Sequence, residues 1–346
     1  MRAGLSSFFD RNKRRVLRVR YANIVAHWLV IARRQGGFGN KDARGLDFWL
    51  HGKLSARWFA YYLLLRLVVK GKTSLPFLDV HITTRCTLNC KDCNHYTDAY
   101  DDRTHRAVTF ETFKRDLDNI LHVVDSVHML QIGGGEALLN REMGKMLDYA
   151  DSRGQVKFIL FTTNGTLIPS DEVFERLRLS RKAFVVISQY GSEVQKKREQ
   201  LIDRLKALGI RHFAYGEQKW FAQWELRKAN RPAAELERNL KKCYLASCTA
   251  ALLDGVIYPC PVSIPIDLVV ERDALKDERI NVGDGDLREK LKAFYLKTYF
   301  DACDFCHIPD RPVWVKPGEQ IVRVQRRADP NGKPGEVEDE ARFLHD

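Results

Sequence analysis

Apolar and polar residues change their spacing along this chain, and the change predicts its elements. Up to about residue 75, apolar and basic residues recur at helical spacing, which predicts two amphipathic helices on either side of Gly36, Gly37 and Gly39. From Leu78 onward, short apolar runs alternate with charged helical segments, which is typical of βα units around a parallel sheet. The predicted strands are residues 78–83, 127–132, 156–161, 183–188 and 210–215, and the predicted helices are residues 110–124, 141–151, 171–179 and 193–208.

This alternation predicts an α/β protein with four stretches. Residues 76–230 form a partial (β/α)6 TIM-like barrel, whose chemistry would lie at the carboxyl ends of its strands, and residues 1–75 form an N-terminal basic helical arm. Residues 231–315 form a small C-terminal cysteine-rich module with a hairpin turning at Asp254-Gly255 and a helix over residues 287–299. Residues 316–346 are dominated by proline, glycine and charge, which predicts a flexible tail.

The basic character of the chain belongs to the arm. The chain has 57 Lys and Arg against 45 Asp and Glu, and the first 75 residues hold 16 of the basic and 3 of the acidic ones. We favour an arm that packs its aromatic residues against the barrel and keeps Lys and Arg in solvent. The next alternative is an anionic membrane surface, with Trp28, Trp49, Trp58 and Phe59 at the interface, and nucleic acid is the least favoured partner.

The lengths of the apolar stretches in the sequence also indicate where in the cell the protein is located. None reaches the roughly 20 uncharged apolar residues that a transmembrane helix needs, and the first residues lack the apolar run of a secretory signal. We therefore expect a cytoplasmic protein, with the inner membrane surface as the alternative location.

Eight cysteines indicate metal chemistry, because clustered cysteines in a long chain without a secretory signal favour metal ligands over disulfides. Cys86, Cys90 and Cys93 follow the first predicted strand with three and then two residues between them. Three thiolates on one loop can hold three irons of a [4Fe-4S] cluster and leave the fourth iron open. A structural zinc would need a fourth ligand, and His95 is poorly placed for it.

These cysteines are one of three motifs in which the chain resembles the radical S-adenosylmethionine (SAM) enzymes. The others are Gly133-Gly134-Gly135-Glu136 after the second strand and the Thr-Thr-Asn-Gly segment at residues 162–165 after the third. The resemblance implies a cluster that binds SAM, receives an electron from a donor such as flavodoxin or ferredoxin, and yields a 5'-deoxyadenosyl radical. It also implies cofactor contacts by Gly133, Gly134, Gly135, Glu136, Thr163, Asn164, Ser188 and Gln189. Many members have an adenine-contacting aromatic residue where this chain has Asp92, so His95 or Tyr96 is expected to take that contact.

The later cysteines resemble the twitch domain, a shortened relative of the SPASM domain that holds one auxiliary [4Fe-4S] cluster. The resemblance implies Cys248, Cys260, Cys303 and Cys306 as ligands, with Cys243 as the spare thiol or an alternative ligand. A spare Cys243 is either a hydrogen donor, which suits epimerisation, or an inert buried thiol. A cluster with four ligands would instead accept an electron, which suits oxidation of an alcohol. A zinc site that includes Cys260, Cys303 and Cys306 is the other interpretation.

The expected substrate is a small, anionic sugar conjugate. The segments Cys-Asn-His-Tyr at residues 93–96 and Gly-Val-Ile-Tyr-Pro-Cys-Pro at residues 255–261 resemble radical SAM proteins that act on carbohydrates. We predict dehydrogenation or epimerisation at a carbinol carbon of a sugar that carries phosphate, nucleotide or lipid. The alternatives are a peptide maturase and a non-catalytic metal module that binds RNA or membrane. We expect surface or core roles, not ligand roles, for His27, His51, His81 and His122. His81 and Tyr96 are expected to line the edge of the cavity.

Overall fold

A computed structural model of the chain describes residues 73–216, 220–221, 226–243, 246, 249–271, 274–306 and 314–321. The predicted arm, apart from its last three residues, lies outside the described residues, and so do Cys248 and residues 322–346. The same holds for His27, His51 and the four aromatic residues assigned to a membrane interface.

Five strands and four helices alternate in the first half of the described chain, in the predicted order. The strands are β1 (Ser74–Thr83), β2 (Ser126–Gly134), β3 (Val156–Thr163), β4 (Ala183–Ile187) and β5 (His212–Ala214). The helices between them are α1 (Phe110–Val123), α2 (Met143–Ser152), α3 (Asp171–Leu179) and α4 (Arg198–Ala207). Consecutive strands pair in parallel, so their carboxyl ends meet at one edge of the sheet. The predicted, mostly parallel α/β architecture is therefore confirmed.

The two faces of β1 show why this sequence makes a barrel strand. Leu78, Val80 and Ile82 are buried in the main core, to which α1 also contributes buried side chains. Because side chains alternate along a strand, the residues between them, Asp79 and His81, point to the opposite face. That face also carries a small apolar cluster centred on Met129, Leu160 and Val186 from the next three strands. The sheet is therefore apolar on its helix-facing side and mixed on its inner side.

The C-terminal half extends the same sheet. Its strands and its two longer helices are β6 (Trp220–Phe221), α5 (Ala233–Lys242), β7 (Thr249–Leu253), β8 (Val256–Tyr258), β9 (Ile280–Asn281), α6 (Leu287–Leu296) and β10 (Trp314–Val315). The strand order is β5-β4-β3-β2-β1-β7-β8-β9, with β7 parallel to β1. The hairpin turns at Asp254-Gly255 as predicted, with positive φ angles of 47° and 80°. The cysteine-rich module is thus joined to the barrel by a continuous sheet.

One strand departs from a regular sixth βα unit. Within the described residues, β6 pairs with β10 in a separate antiparallel ribbon, and β5 forms the edge of the main sheet. None of the helices described here combines the length and the hydropathy that crossing a bilayer requires.

Residues 316–321, the start of the tail predicted to be flexible, are hydrogen-bonded to the barrel in this structure. Together with β10 these residues form a segment, here called the strap (residues 314–321), that lies along the loop carrying the first cysteines. The Lys91 amide donates to the Glu319 carbonyl at 2.8 Å, and the Ile321 amide donates to the Asn89 carbonyl at 2.9 Å. Backbone N–H and C=O groups of the cysteine loop need hydrogen-bond partners, and the strap supplies them. The amino-acid composition of the tail does not reveal this pairing.

Candidate functional site

The first cysteine loop leaves the carboxyl end of β1 and surrounds its sulfurs with N–H donors. Cys86 Sγ accepts from the Leu88 amide at 3.5 Å and from Asn164 Nδ2 at 3.4 Å. Cys90 Sγ accepts from Gln320 Nε2 at 3.0 Å. Backbone amides on the loop itself also donate to Cys93. Burial raises the pKa of each of these three thiols to about 11, so the free thiols stay protonated at neutral pH.

Glu136 joins the ends of β2 and β3 beside this loop. Its side chain is 1% exposed, and its carboxylate accepts from Thr163 Oγ1 at 3.0 Å and from the Asn164 amide at 2.7 Å. It also accepts from the Leu138 amide at 3.1 Å. Burial outweighs these bonds and raises the pKa of Glu136 to about 7. In this structure the carboxylate accepts hydrogen bonds from residues at the strand ends. Its contact with the SAM ammonium stays a prediction.

Two of the three glycines are needed for contact with the protein itself. A Cβ on Gly134 would overlap the Thr83 carbonyl, and a Cβ on Gly135 would overlap the Arg85 carbonyl. The Gly135 amide donates to the Thr83 carbonyl, and the Glu136 amide donates to the Arg85 carbonyl, both at 2.9 Å. The glycines therefore seat the end of β2 directly on the start of the cysteine loop. If SAM also lies close to this backbone, the same glycines would allow that contact as well as the contact with the cysteine loop.

The ends of β3 and β4 complete this edge of the sheet. Asn164 connects them to the cysteine loop, because its Nδ2 donates to both Cys86 Sγ and Thr87 Oγ1. The Ser188 amide donates to the Thr163 carbonyl at 3.0 Å. Gln195 donates to the carbonyls of Asn164 and Ser188, and it fixes the loop after β4 although sequence reasoning missed it. Gln189 follows Ser188 on that loop, and its cofactor role stays a prediction.

Tyr190 was also missed by sequence reasoning. Burial raises the pKa of its hydroxyl well above the ordinary value, and the three cysteines of the first loop raise it further. The hydroxyl therefore lies close enough to those thiols to interact with them electrostatically.

A polar group lies inside the barrel, below the cysteine loop. His81 Nε2 and Asp79 Oδ2 are 3.2 Å apart, and Gln131 Nε2 donates to Asp79 Oδ1 at 2.9 Å. The His95 ring lies 5.0 Å from the His81 ring, and burial lowers the pKa of His95 to about 4. Asp79 was missed, although polar residues at alternate positions of the strand LDVHIT are a signal of an inner face.

Four cysteines of the C-terminal module form a second group. Burial raises the pKa of Cys260 to about 12, and Cys243 raises it further. Burial likewise raises the pKa of Cys303 well above its ordinary value, with Cys243, Cys260 and Cys306 adding to the effect. Cys243 therefore lies near Cys260 and Cys303, two of the expected ligands. This location favours the alternative ligand role over the spare thiol, while Cys248 lies outside the described residues.

Tyr96 lies between the two cysteine groups. Its pKa is raised by burial and then by Cys306 of the second group and Cys93 of the first. Tyr96 also packs against the hydrophobic core with Cys243, Cys260 and Cys303. Its contact with adenine stays a prediction, and the structure adds that Tyr96 lies close enough to thiols of both groups to interact with them electrostatically.

The donor sets fit iron–sulfur clusters. N–H groups directed at thiolate sulfurs are a feature of cluster sites, where they stabilise negative charge on sulfur. Metal binding would also offset the burial that keeps these thiols protonated. No three His, Cys, Asp or Glu side chains in the described ranges converge on a point that could hold a single metal ion. Thiolates that each bind a different iron of a cluster need no such convergence.

Comparison with known proteins identifies relatives of the barrel. The chain is 29% identical over 105 residues to the GTP 3',8-cyclase of Clostridium acetobutylicum, a match that covers 30% of this chain and 31% of the cyclase. The chain thus matches about a third of the length of this curated relative.

Solved structures give similarities of lower identity. BtrN in complex with AdoMet and 2-DOIA aligns over 72% of this chain and 98% of its own, with 15% identity and a TM-score of 0.48. SuiB of Streptococcus suis bound to S-adenosylmethionine aligns over 51% of this chain and 44% of its own, with 19% identity and a TM-score of 0.35.

The family itself follows from the barrel sequence. Residues 80–246 match the sequence profile of the family described as the Radical SAM superfamily. That range begins within β1 and contains the cysteine loop, the glycine segment, the end of β3 and Cys243. Membership implies a SAM-binding [4Fe-4S] cluster, for which the first cysteine loop is suited by its position and its N–H donors. Residues 80–246 of this chain thus form a radical SAM domain.

Proposed function

We propose that this protein is a radical SAM dehydrogenase that oxidises a carbinol carbon of a sugar carrying phosphate, nucleotide or lipid. When bound, the first cluster and SAM would supply a carbon radical that removes a hydrogen atom from the substrate. The auxiliary cluster would supply an acceptor for the electron left on the substrate. In the proposed reaction the carbinol would lose one hydrogen atom to the 5'-deoxyadenosyl group, a proton to solvent and an electron to the auxiliary cluster, and would become a carbonyl.

Specific residues would hold these groups. Cys86, Cys90 and Cys93 would bind the SAM cluster, and Cys243, Cys260, Cys303 and Cys306 would bind the auxiliary cluster. The network of Glu136, Thr163 and Asn164 fixes the strand ends on which SAM would lie. The hydrogen bonds of this network hold the carboxyl edge of the sheet in one geometry. A cofactor that must be placed precisely requires such a fixed edge.

The observation that carries the choice of dehydrogenation is the position of Cys243. Epimerisation needs a thiol that is free to return a hydrogen atom to the substrate. Cys243, Cys260 and Cys303 pack against the same hydrophobic core, and Cys243 adds to the burial that raises the pKa of Cys260 and Cys303. A thiol in that position is better suited to bind iron than to donate hydrogen. Four thiolates together would complete one closed cluster, which can exchange electrons.

The deciding experiment is mass spectrometry of products formed in D2O by the anaerobically reconstituted full chain with SAM and dithionite. The probes are uridine diphosphate hexoses and hexose phosphates. Dehydrogenation gives a product two mass units lighter than the probe, with no deuterium bound to carbon. Epimerisation gives a product one mass unit heavier, which would overturn the proposal, and Cys248→Ala would then test the remaining candidate donor.

Two other outcomes separate the alternatives. A peptide maturase would leave all sugars unchanged and would change the mass of a small peptide encoded beside the gene. A non-catalytic module would release no 5'-deoxyadenosine from SAM under any of these conditions.

A further inference from the structure

Gln320 in the strap contacts a cysteine that lies 230 positions earlier in the sequence. Its side chain is held in place from both ends. The Asn89 amide donates to Gln320 Oε1 at 2.8 Å, and Gln320 Nε2 donates to Cys90 Sγ at 3.0 Å. A second donation from Nε2 to the Gly318 carbonyl, at 2.7 Å, fixes the amide group against rotation. The N–H that points at the sulfur is therefore held in place by the two other hydrogen bonds of the same amide group.

The rest of the strap is anchored away from Cys90. Its first residues form β10, which pairs with β6, and Trp220 of β6 packs edge-on against Tyr190 at 5.1 Å between ring centroids. Gly318 has a φ of +78°, and a Cβ there would lie 2.5 Å from Tyr190 Cβ. Close contact with the loop after β4 thus requires glycine at this position. The strap spans the carboxyl edge of the sheet from the β4 loop to the cysteine loop.

We propose that Gln320 is a positioning residue that raises the reduction potential of the cluster bound to Cys90. The proposal rests on the proposed function, because it requires that Cys90 bind the SAM cluster. Reduction adds negative charge to the cluster and its sulfurs, and an N–H donor stabilises that charge. Cys90 is 5% exposed, so little water competes for its sulfur. A chain segment remote in sequence would thereby adjust how readily the first cluster accepts its electron.

The test is an EPR-monitored redox titration of the reconstituted full chain without SAM. The signal of the first cluster is identified as the one that is missing in Cys90→Ala. We expect a lower midpoint potential in Gln320→Leu, which lacks the donor, and a still lower one in Gln320→Glu, which places a carboxylate beside the sulfur. Gly318→Ala should shift the potential in the same direction, because it displaces the strap without altering Gln320.

Glu319→Gln is the matched control. Glu319 lies next to Gln320, but its side chain is 56% exposed and 3.7 Å from Lys91 Nζ, so its replacement should leave the potential unchanged. Wild-type potentials in Gln320→Leu and Gln320→Glu, at wild-type iron content, would overturn the proposal. If Gln320→Leu binds less iron, the midpoint potential of Gln320→Glu tests the proposal instead, because that variant keeps the acceptor for the Asn89 amide. If Cys90→Ala retains all iron and both signals, the proposed function fails instead.

Discussion

The two cysteine groups of this protein are built in opposite ways. The first lies on one loop, residues 86–93, and is shaped by hydrogen bonds from strand ends around it. The second brings together residues 243, 260, 303 and 306, from separate parts of the chain. A local group of ligands depends on the backbone of a few residues, whereas a dispersed group depends on the whole module being folded. The two should therefore respond differently to the same kind of mutation.

The largest expected difference is between Cys90→Ala and Cys243→Ala. Cys90→Ala should abolish 5'-deoxyadenosine formation, because we propose that the first cluster is the one that binds SAM. Cys243→Ala should lose about four iron atoms per chain, yet should still cleave SAM. Iron analysis and chromatography of the nucleoside products check both. Unchanged iron content in Cys243→Ala would return Cys243 to the role of a spare thiol.

A second expected difference concerns the glycines under the first group. Gly135→Ala should lower the free energy of unfolding by about 3 kcal/mol, because its Cβ would overlap the Arg85 carbonyl. Gly133→Ala is the matched control, since the nearest atoms to its Cβ belong to the movable Gln131 side chain, 3.1 Å away. We expect a loss below about 1 kcal/mol there. Urea unfolding of the reduced apo-protein measures both, and equal losses would contradict this account of the glycines.

The same contrast explains how far the sequence could be understood without the structure. The βα order, the hairpin and the three-cysteine loop are local patterns, and the alternation within LDVHIT shows the two faces of its strand. The place of Cys243 could not be predicted, because spacing alone does not show which of five thiols meet in space. Gln320 could not be predicted either, since it lies in a charged segment and meets Cys90 only after the strap pairs with the loop.

A third difference concerns pH and involves Glu136 beside the first group. Its pKa rises from 4.5 to about 7 on folding, so the folded protein binds a proton that the unfolded chain releases. The resulting stability is present below pH 4.5 and is lost as the pH rises through 7. We expect Glu136 to lower the free energy of unfolding by about 3 kcal/mol across this window. Urea unfolding at several pH values tests this, and Glu136→Gln should remove that part of the pH dependence. An identical dependence in the two proteins would contradict the assignment.

The smallest expected effect separates the second group from the first. Asp304 lies between Cys303 and Cys306, is 4% exposed, and accepts from the Asn230 and Arg231 amides at 2.9 and 2.8 Å. Asp304→Ala should lower the free energy of unfolding by about 2 kcal/mol, because two buried amides lose their acceptor. It should also reduce iron retention at the second group alone. Asp304→Asn keeps one acceptor oxygen and should lose less. Loss of SAM cleavage in Asp304→Ala would show that the two groups are not independent.

The central claim is that the first cysteine loop holds a cluster with an iron open to SAM. The most direct measurement is EPR of the reduced Cys243→Ala/Cys303→Ala double variant, which should contain only the first cluster, before and after SAM is added. We predict that SAM changes the g-values of the cluster signal. A spectrum that stays the same at saturating SAM would contradict the account.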